Sequence, residues 1–213
     1  MLKHGCAALL AAALAIAPAA HAGDFFVNGQ AGRIELDNAF GDRNTNLLQA
    51  SAGYRWGLDN VQVGIEAGGG KLADLEGEAR TDFAGGYSTD AYTLATRYAF
   101  VGANARIKPP LLPVFFIARA GYTGYEQEFD HTVIDRFADA APVTERREST
   151  EHGGGVYYGA GIGTSILPLL DVSLMLNEQR TRSVRYDPVD DEYRLSGDED
   201  GARSVSLSVE YRF

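Results

Sequence analysis

Cysteine is nearly missing from this chain: the only one among 213 residues is Cys6. It sits in an apolar run from Cys6 to Ala17, preceded by Lys3 and followed by Ala20-His21-Ala22. A basic start, a short apolar segment and a small-x-small ending form a secretory signal, so cleavage is expected before Gly23. At about a dozen residues the run is too short for a membrane helix, which needs roughly 20. The expected mature domain, residues 23–213, then has no cysteine, which excludes disulfides, thiol catalysis and cysteine-based metal sites. No later run reaches about 18 apolar residues, so no helix is expected to span a membrane. Positive charge is also scarce. With Lys3 removed from the 19 basic residues, 18 face 29 acidic ones, a formal charge of −11. Binding to a phosphate backbone needs a net basic surface, so nucleic acid is excluded as a partner.

Glycine is plentiful at 25 residues, and 11 Tyr with 10 Phe lean the composition towards strands. Period-two alternation recurs along the chain. In residues 46–56, Leu48, Ala50, Ala52, Tyr54 and Trp56 alternate with Gln49, Ser51, Gly53 and Arg55. The last ten residues set Val205, Leu207, Val209, Tyr211 and Phe213 against Ser204, Ser206, Ser208, Glu210 and Arg212. Successive strand residues point to opposite faces, so each segment has one greasy and one wet face. Eight strands are marked this way, at 25–36, 46–56, 61–72, up to Ile107, 114–125, 153–166, 172–184 and 204–213. Between them, short turns at 57–60, 108–113 and 167–171 alternate with polar loops at 37–45, 73–92, 127–152 and 185–201. Short turns on one side and long loops on the other mark an all-β, eight-stranded, antiparallel up-and-down transmembrane barrel. Lipid cannot satisfy an open sheet edge, so the sheet must close. A soluble, lipocalin-like barrel has the same alternation with the apolar face turned inward, and periodicity alone does not separate the two.

The closing Tyr211 and Phe213 resemble the C-terminal insertion signal of bacterial outer-membrane barrels, which the barrel insertion machinery reads. Tyr158-Gly159-Ala160-Gly161, Glu178-Gln179 with Arg182-Ser183-Val184, and Glu210-Tyr211-Arg212-Phe213 are similar to motifs of the OmpX/Ail family of small, OmpA-like outer-membrane barrels. The likeness runs from about Val114 to Phe213. The spacing between Glu178-Gln179 and Arg182 is one residue shorter than in the family, which leaves the direction of Glu178 and Gln179 open. The resemblance implies a Gram-negative outer-membrane location, a filled interior, and surface loops serving adhesion, invasion or resistance to host defences. A narrow channel for small solutes is the alternative.

An eight-stranded barrel has an interior just wide enough for side chains. Glu66 and Arg119 each lie about six residues from a short turn. They are expected to meet at mid-height in an interior polar network, with Glu210, Arg55 and Arg106 lower down. Arg180, Arg182, Arg185 and Arg203 flank the last loop near the outer rim and suit lipopolysaccharide phosphates, because charge-assisted bonds to phosphate favour Arg. Phe83, Tyr87, Val133, Ile134 and Phe137 are apolar residues in polar loops, candidates for contact with host or envelope ligands. No cofactor or catalysis is expected. Gly159, Gly161 and Gly163 miss the GxGxxG pattern, and Gly68-Gly69-Gly70-Lys71 lacks a following Ser or Thr. After the signal only His131 and His152 remain, and neither supplies a His-x-Ser pair. Asp130-His131 reads as a solvated loop pair. The acidic stretch from Asp187 to Asp200 lacks the EF-hand order of carboxylates, so it reads as a solvated loop.

Overall fold

The computed structural model describes residues 23–36, 43–58, 60–138, 140–187 and 192–213, with the side chains of 43 and 181–200 outside the description. The expected signal, residues 1–22, also falls outside it. Among the described residues nine strands are formed: β1 Gly23–Leu36, β2 Arg43–Leu58, β3 Val61–Leu72, β4 Leu75–Phe83, β5 Gly86–Ile107, β6 Phe115–Phe137, β7 Val143–Leu167, β8 Leu170–Asp187 and β9 Glu192–Arg212. Each strand pairs antiparallel with the next in sequence except β3 with β4; β1 pairs with β9, and β3 pairs with β5. Those two pairings close eight strands into a barrel and leave β4 as the outer extension of β3. Phe213 N–H donating to Phe25 C=O at 2.9 Å, beside the β1–β9 ladder, ties the residue after β9 to the start of β1.

The faces settle the question that periodicity leaves open. Val27, Leu48, Val63, Val101, Leu174 and Val205 point outward with about half their surface exposed. Asn28, Gln30, Gln49, Ser51, Arg55 and Glu66 point inward and are buried. A soluble barrel would reverse this. Aromatic contacts gather at the short-turn end, Phe25 against Tyr54 at 4.9 Å, Tyr54 against Trp56 at 5.6 Å, and Tyr211 against Phe213 at 4.9 Å. That is where a membrane-interface girdle belongs.

The expected long loops are corrected. Residues 75–83 form β4, residues 86–92 belong to β5, and much of 127–152 belongs to β6 and β7. Similarly, β8 and β9 run on to pair Asp187 with Glu192. Polarity suggests loops there, but a paired ladder in water needs no apolar face, and the Thr- and Tyr-rich composition of β5 favours strand. β5, β6 and β7 reach 22, 23 and 25 residues. About 10 tilted residues suffice to cross the hydrocarbon layer, so the rest stands in water as a four-stranded blade with β4. One extra residue at 72–74 breaks the ladder between Lys71↔Arg97 and Leu75↔Leu94, separating β4 from β3. The blade ends in a two-residue turn, Ala84-Gly85, where Gly85 takes φ +90°.

Glycines make room for the rings that fill the barrel. A Cβ on Gly121 would stand 2.7 Å from the Tyr157 ring, and one on Gly68 2.7 Å from Phe100. Outward-facing Gly124 has no such neighbour, the nearest atom being Gly153 O at 3.9 Å. Gly121→Val is therefore expected to cost about 1–3 kcal/mol by overpacking, while Gly124→Val folds like the parent. Urea titration of each variant in lipid vesicles, followed by heat-modifiable gel mobility, checks the difference; equal midpoints would refute it.

Candidate functional site

The inward polar residues of six strands meet in one chain of contacts. Arg119 on β6 places Nε 3.0 Å from Glu66 Oε1 on β3. The Tyr157 hydroxyl donates to the same oxygen at 2.8 Å. Asn104 on β5 donates to Glu66 Oε2 at 3.4 Å and accepts from Arg55 Nε at 2.6 Å. Arg55 on β2 then grips Glu210 on β9 with both terminal nitrogens, at 2.5 and 2.9 Å. Gln49, with its amide oxygen turned to Arg119, accepts from that guanidinium at 3.2 and 3.3 Å and donates to the Tyr98 hydroxyl at 2.9 Å. The four charged side chains are no more than 5% exposed. Rings cover the cations: Phe26 lies 4.0 Å from the Arg55 guanidinium, and Phe100 and Tyr157 lie 4.9 and 5.1 Å from that of Arg119. Desolvated charges are tolerable only when paired, and here each cation has a carboxylate against it, although Arg119 Nε makes its ion pair without an aligned hydrogen bond.

Arg106 does not join this chain. It pairs with Asp171 at 3.0 Å, and Asp171 also faces Arg212 at 3.3 Å and accepts from Ser165 at 2.6 Å. This second cluster closes the short-turn end, with Phe115 packed 4.2 Å from the Arg106 guanidinium. Asp171 reads as a turn residue in the sequence, and the structure corrects this: it is 2% exposed inside the barrel. Its alternation with inward Ser173 carries the signal for that. Asn104 and Tyr157 are further participants that sequence reasoning misses, since nothing local marks an amide as the link between two ion pairs or a tyrosine as a donor to one of them. Two voids beside Arg119 hold about 10 Å³ each, about the space of one water.

At the outer rim, Glu178 points outward and bonds Arg203 at 3.2 Å. Gln179 takes the opposite face. Arg180 is exposed on the same face as Glu178, while the side chains of Arg182 and Arg185, and the acidic stretch that follows, lie outside the described residues. The loop candidates lie on or beside strands rather than in loops. Phe83 and Phe137 meet at 5.7 Å at the blade tip, 40% and 44% exposed. Tyr87 stacks under Arg80 at 3.8 Å. Val133 and Ile134 lie lower on opposite faces of β6, both half-buried. Asp130 and His131 also part. Asp130 turns out to Arg146 at 3.3 Å, whereas His131 is buried against Asp90 at 3.2 Å and stacks on Phe129. His152 faces Glu126 at 3.6 Å. Among the described residues no group of three or more His, Cys, Asp or Glu is placed to hold a metal.

A family model described as an outer membrane protein beta-barrel domain matches residues 5–213. No curated protein sequence matches the chain. Among solved structures it is similar to Ail, the attachment invasion locus protein of Yersinia pestis, at 12% identity and a TM-score of 0.50, over 91% of this chain and 100% of that one. It is also similar to Ail in complex with the heparin analogue sucrose octasulfate, at 14% identity, 90% and 99% coverage and a TM-score of 0.48. Neisserial surface protein A matches at 11% identity, 89% and 97% coverage and a TM-score of 0.46.

Removing one member of the central pair strands the other as a buried charge, which costs about 3–5 kcal/mol. Glu66→Gln and Arg119→Met are each expected to lose stability on that scale. The double variant should lose less than their sum, because the two share one interaction. Equilibrium unfolding in vesicles reads all three, and strict additivity would show the pair to be uncoupled.

Proposed function

The chain belongs to the outer membrane protein β-barrel family, and on that premise we propose that it is a closed, non-conducting barrel of the Gram-negative outer membrane that displays an interaction surface. Residues 1–22 direct export, and the exposed Tyr211 and Phe213 present the insertion signal to the assembly machinery. The observation that carries the reading is the ion chain from Arg119 to Glu210, which runs across the lumen among packed rings. A filled barrel offers solutes no route, so its use lies outside the membrane. There the blade lifts Phe83, Phe137 and the Arg80-stacked Tyr87 clear of the bilayer. Aromatic anchors on a rigid support are a common basis of recognition. Adhesion to host surfaces, or protection against host defences, fits this display. At the rim, Arg180 and Arg203, with Arg182 and Arg185 next along the chain, face the lipopolysaccharide layer.

Planar-bilayer recording of the refolded chain tests the closed lumen. Silence from folded, heat-modifiable protein is expected; discrete openings altered by Glu66→Gln would make it a narrow solute channel instead. Phe83→Ser with Phe137→Ser tests the display. Exposed substitutions usually move stability by no more than about 0.5 kcal/mol, so folding should hold while attachment of expressing cells to host cells falls several-fold. Unchanged attachment would remove the tip from the reading.

A further inference from the structure

At the short-turn end the chain presents an apolar surface left open among the described residues. The β5–β6 connection, residues 108–114, reads Lys-Pro-Pro-Leu-Leu-Pro-Val. Leu111 is 92% exposed and Leu112 50%. Turns that stand in water are normally built from Gly, Asn, Asp and Ser, and contiguous exposed apolar surface marks contact with a partner or a membrane. The leucines are also held still. Leu112 N–H donates to Pro109 C=O at 3.2 Å, closing a turn with Pro110 at its second position, where the fixed φ of proline fits. Lys108 N–H donates to Asn60 C=O at 2.8 Å, and Thr164 Oγ1 donates to Pro113 C=O at 2.8 Å. The last bond brings the turn next to the lower end of β7, where Ile166, Leu167 and Leu169 are 58%, 60% and 46% exposed. That β7–β8 turn is fixed too. Arg212 donates from its backbone to Leu169 C=O at 2.8 Å and from its guanidinium to Pro168 C=O at 3.0 Å.

The wall above identifies what meets them. On β5 the outward residues from Ile107 up to Ala99 are apolar and Arg97 ends the run; on β6 the small and apolar run from Phe116 to Gly124 ends at Glu126. Each run rises through about eight residues, or about 20 Å at 3.3 Å per residue and a tilt near 40°, against an apolar band about 25 Å tall. The shortfall of about 5 Å, the rise of about two residues, can be made good only downward, because the upper ends are charged. Beyond Ile107 and Phe116 the chain offers Leu111 and Leu112. No charged residue occurs from Pro109 to Ala118 or from Gly153 to Leu170, the stretches that hold the two turns. The other half of the rim differs. Where β1 begins and β9 ends it carries Asp24, 38% exposed, with Arg212 at 3.9 Å.

We propose that the β5–β6 and β7–β8 turns form an apolar keel seated in the inner leaflet of the outer membrane, with Leu111, Leu112, Leu167 and Leu169 among phospholipid acyl chains rather than in the periplasm. The keel completes the lipid-facing wall where β5 and β6 fall short of it. Interfacial anchors of this kind bury apolar groups about 5–10 Å into the boundary between headgroups and chains. Rigid turns favour the contact, because little conformational freedom is left to lose when the leucines enter lipid. Only this half of the rim is apolar, so the anchoring is one-sided. It rests on the reading of the short turns as the periplasmic end of the barrel.

Residues 23–213 contain no cysteine, so single-cysteine variants of the full chain report on each position. Cells expressing them are treated with a membrane-impermeant maleimide before and after the outer membrane is permeabilised. Glu78→Cys on the blade should label in intact cells, and Asn60→Cys only after permeabilisation. The reverse order would overturn the orientation, and the inner leaflet with it. Leu111→Cys and Leu167→Cys should label about tenfold more slowly than Asn60→Cys even after permeabilisation, the scale on which burying a Leu-sized side chain shifts an equilibrium. Labelling as fast as Asn60→Cys overturns the keel. Trp56, the sole tryptophan, allows a second measurement. With Trp56→Phe in place, Leu111→Trp is refolded in phosphatidylcholine–phosphatidylglycerol vesicles. Its emission should be blue-shifted and quenched several-fold by lipids brominated near the top of their acyl chains. Water-like emission that bromine leaves unquenched overturns the proposal. Slow labelling in cells combined with water-like emission in vesicles assigns the turns to a periplasmic protein, and the lipid keel fails in that case too.

Discussion

Inside a bilayer every backbone N–H and C=O must find a partner in the protein, because lipid offers none. For a chain of strands this admits only a closed sheet, and closure here depends on the pairing of β1 with β9 and of β3 with β5. The rest of the structure follows from that ring. Its outer wall must be apolar, which turns the polar half of each alternating strand inward. Its eight-strand circumference makes the inside narrow, so what is turned inward must pack and pair. A charge left single there would cost several kcal/mol.

The interior meets that demand with two separate clusters. At mid-height Asn104 joins Arg119–Glu66 to Arg55–Glu210, so that one amide serves both pairs. At the short-turn end Asp171 receives Arg106, Arg212 and Ser165. Much of the remaining space around them is taken by Phe26, Phe100, Phe115 and Tyr157, whose rings lie against the cations. Glycines on adjacent strands let those rings approach the backbone. The same residues thus neutralise and fill the lumen.

Once the strands leave the lipid the constraint lapses. Water can satisfy an edge, so the ring may open, and above Tyr157 strand β7 pairs only with β6 among the described residues. The extension is a polar blade with apolar residues at the tip, at Val133, Ile134 and Val143 below it, and in a buried strip of Tyr92, Leu94 and Phe129 with Leu75 against it. Side-chain chemistry is therefore layered with height. An apolar wall gives way to exposed cations such as Lys71, Arg97 and Arg180 at its upper edge, and these to a blade carrying Glu76, Glu78, Glu128 and Glu145.

Alternation and turn chemistry are local properties, so the sequence by itself determined the spanning strands, the short turns and the two faces of each segment. Filled space inside an eight-strand ring is nearly as local, which is why Glu66, Arg119, Arg55 and Glu210 could be named as interior residues. Which charge meets which depends on register across strands far apart in sequence. Tertiary structure alone therefore placed Asn104 between two ion pairs, moved Arg106 to Asp171, and set Lys71 against Arg97. It also decided that the stretches at 75–83 and 127–137 are strands. Their polar side chains carry no burial signal, and their ladders form through pairing with β5 and β7. The direction of the apolar face had the same origin, since a period of two names two faces and only the sense in which the sheet curves says which one it encloses.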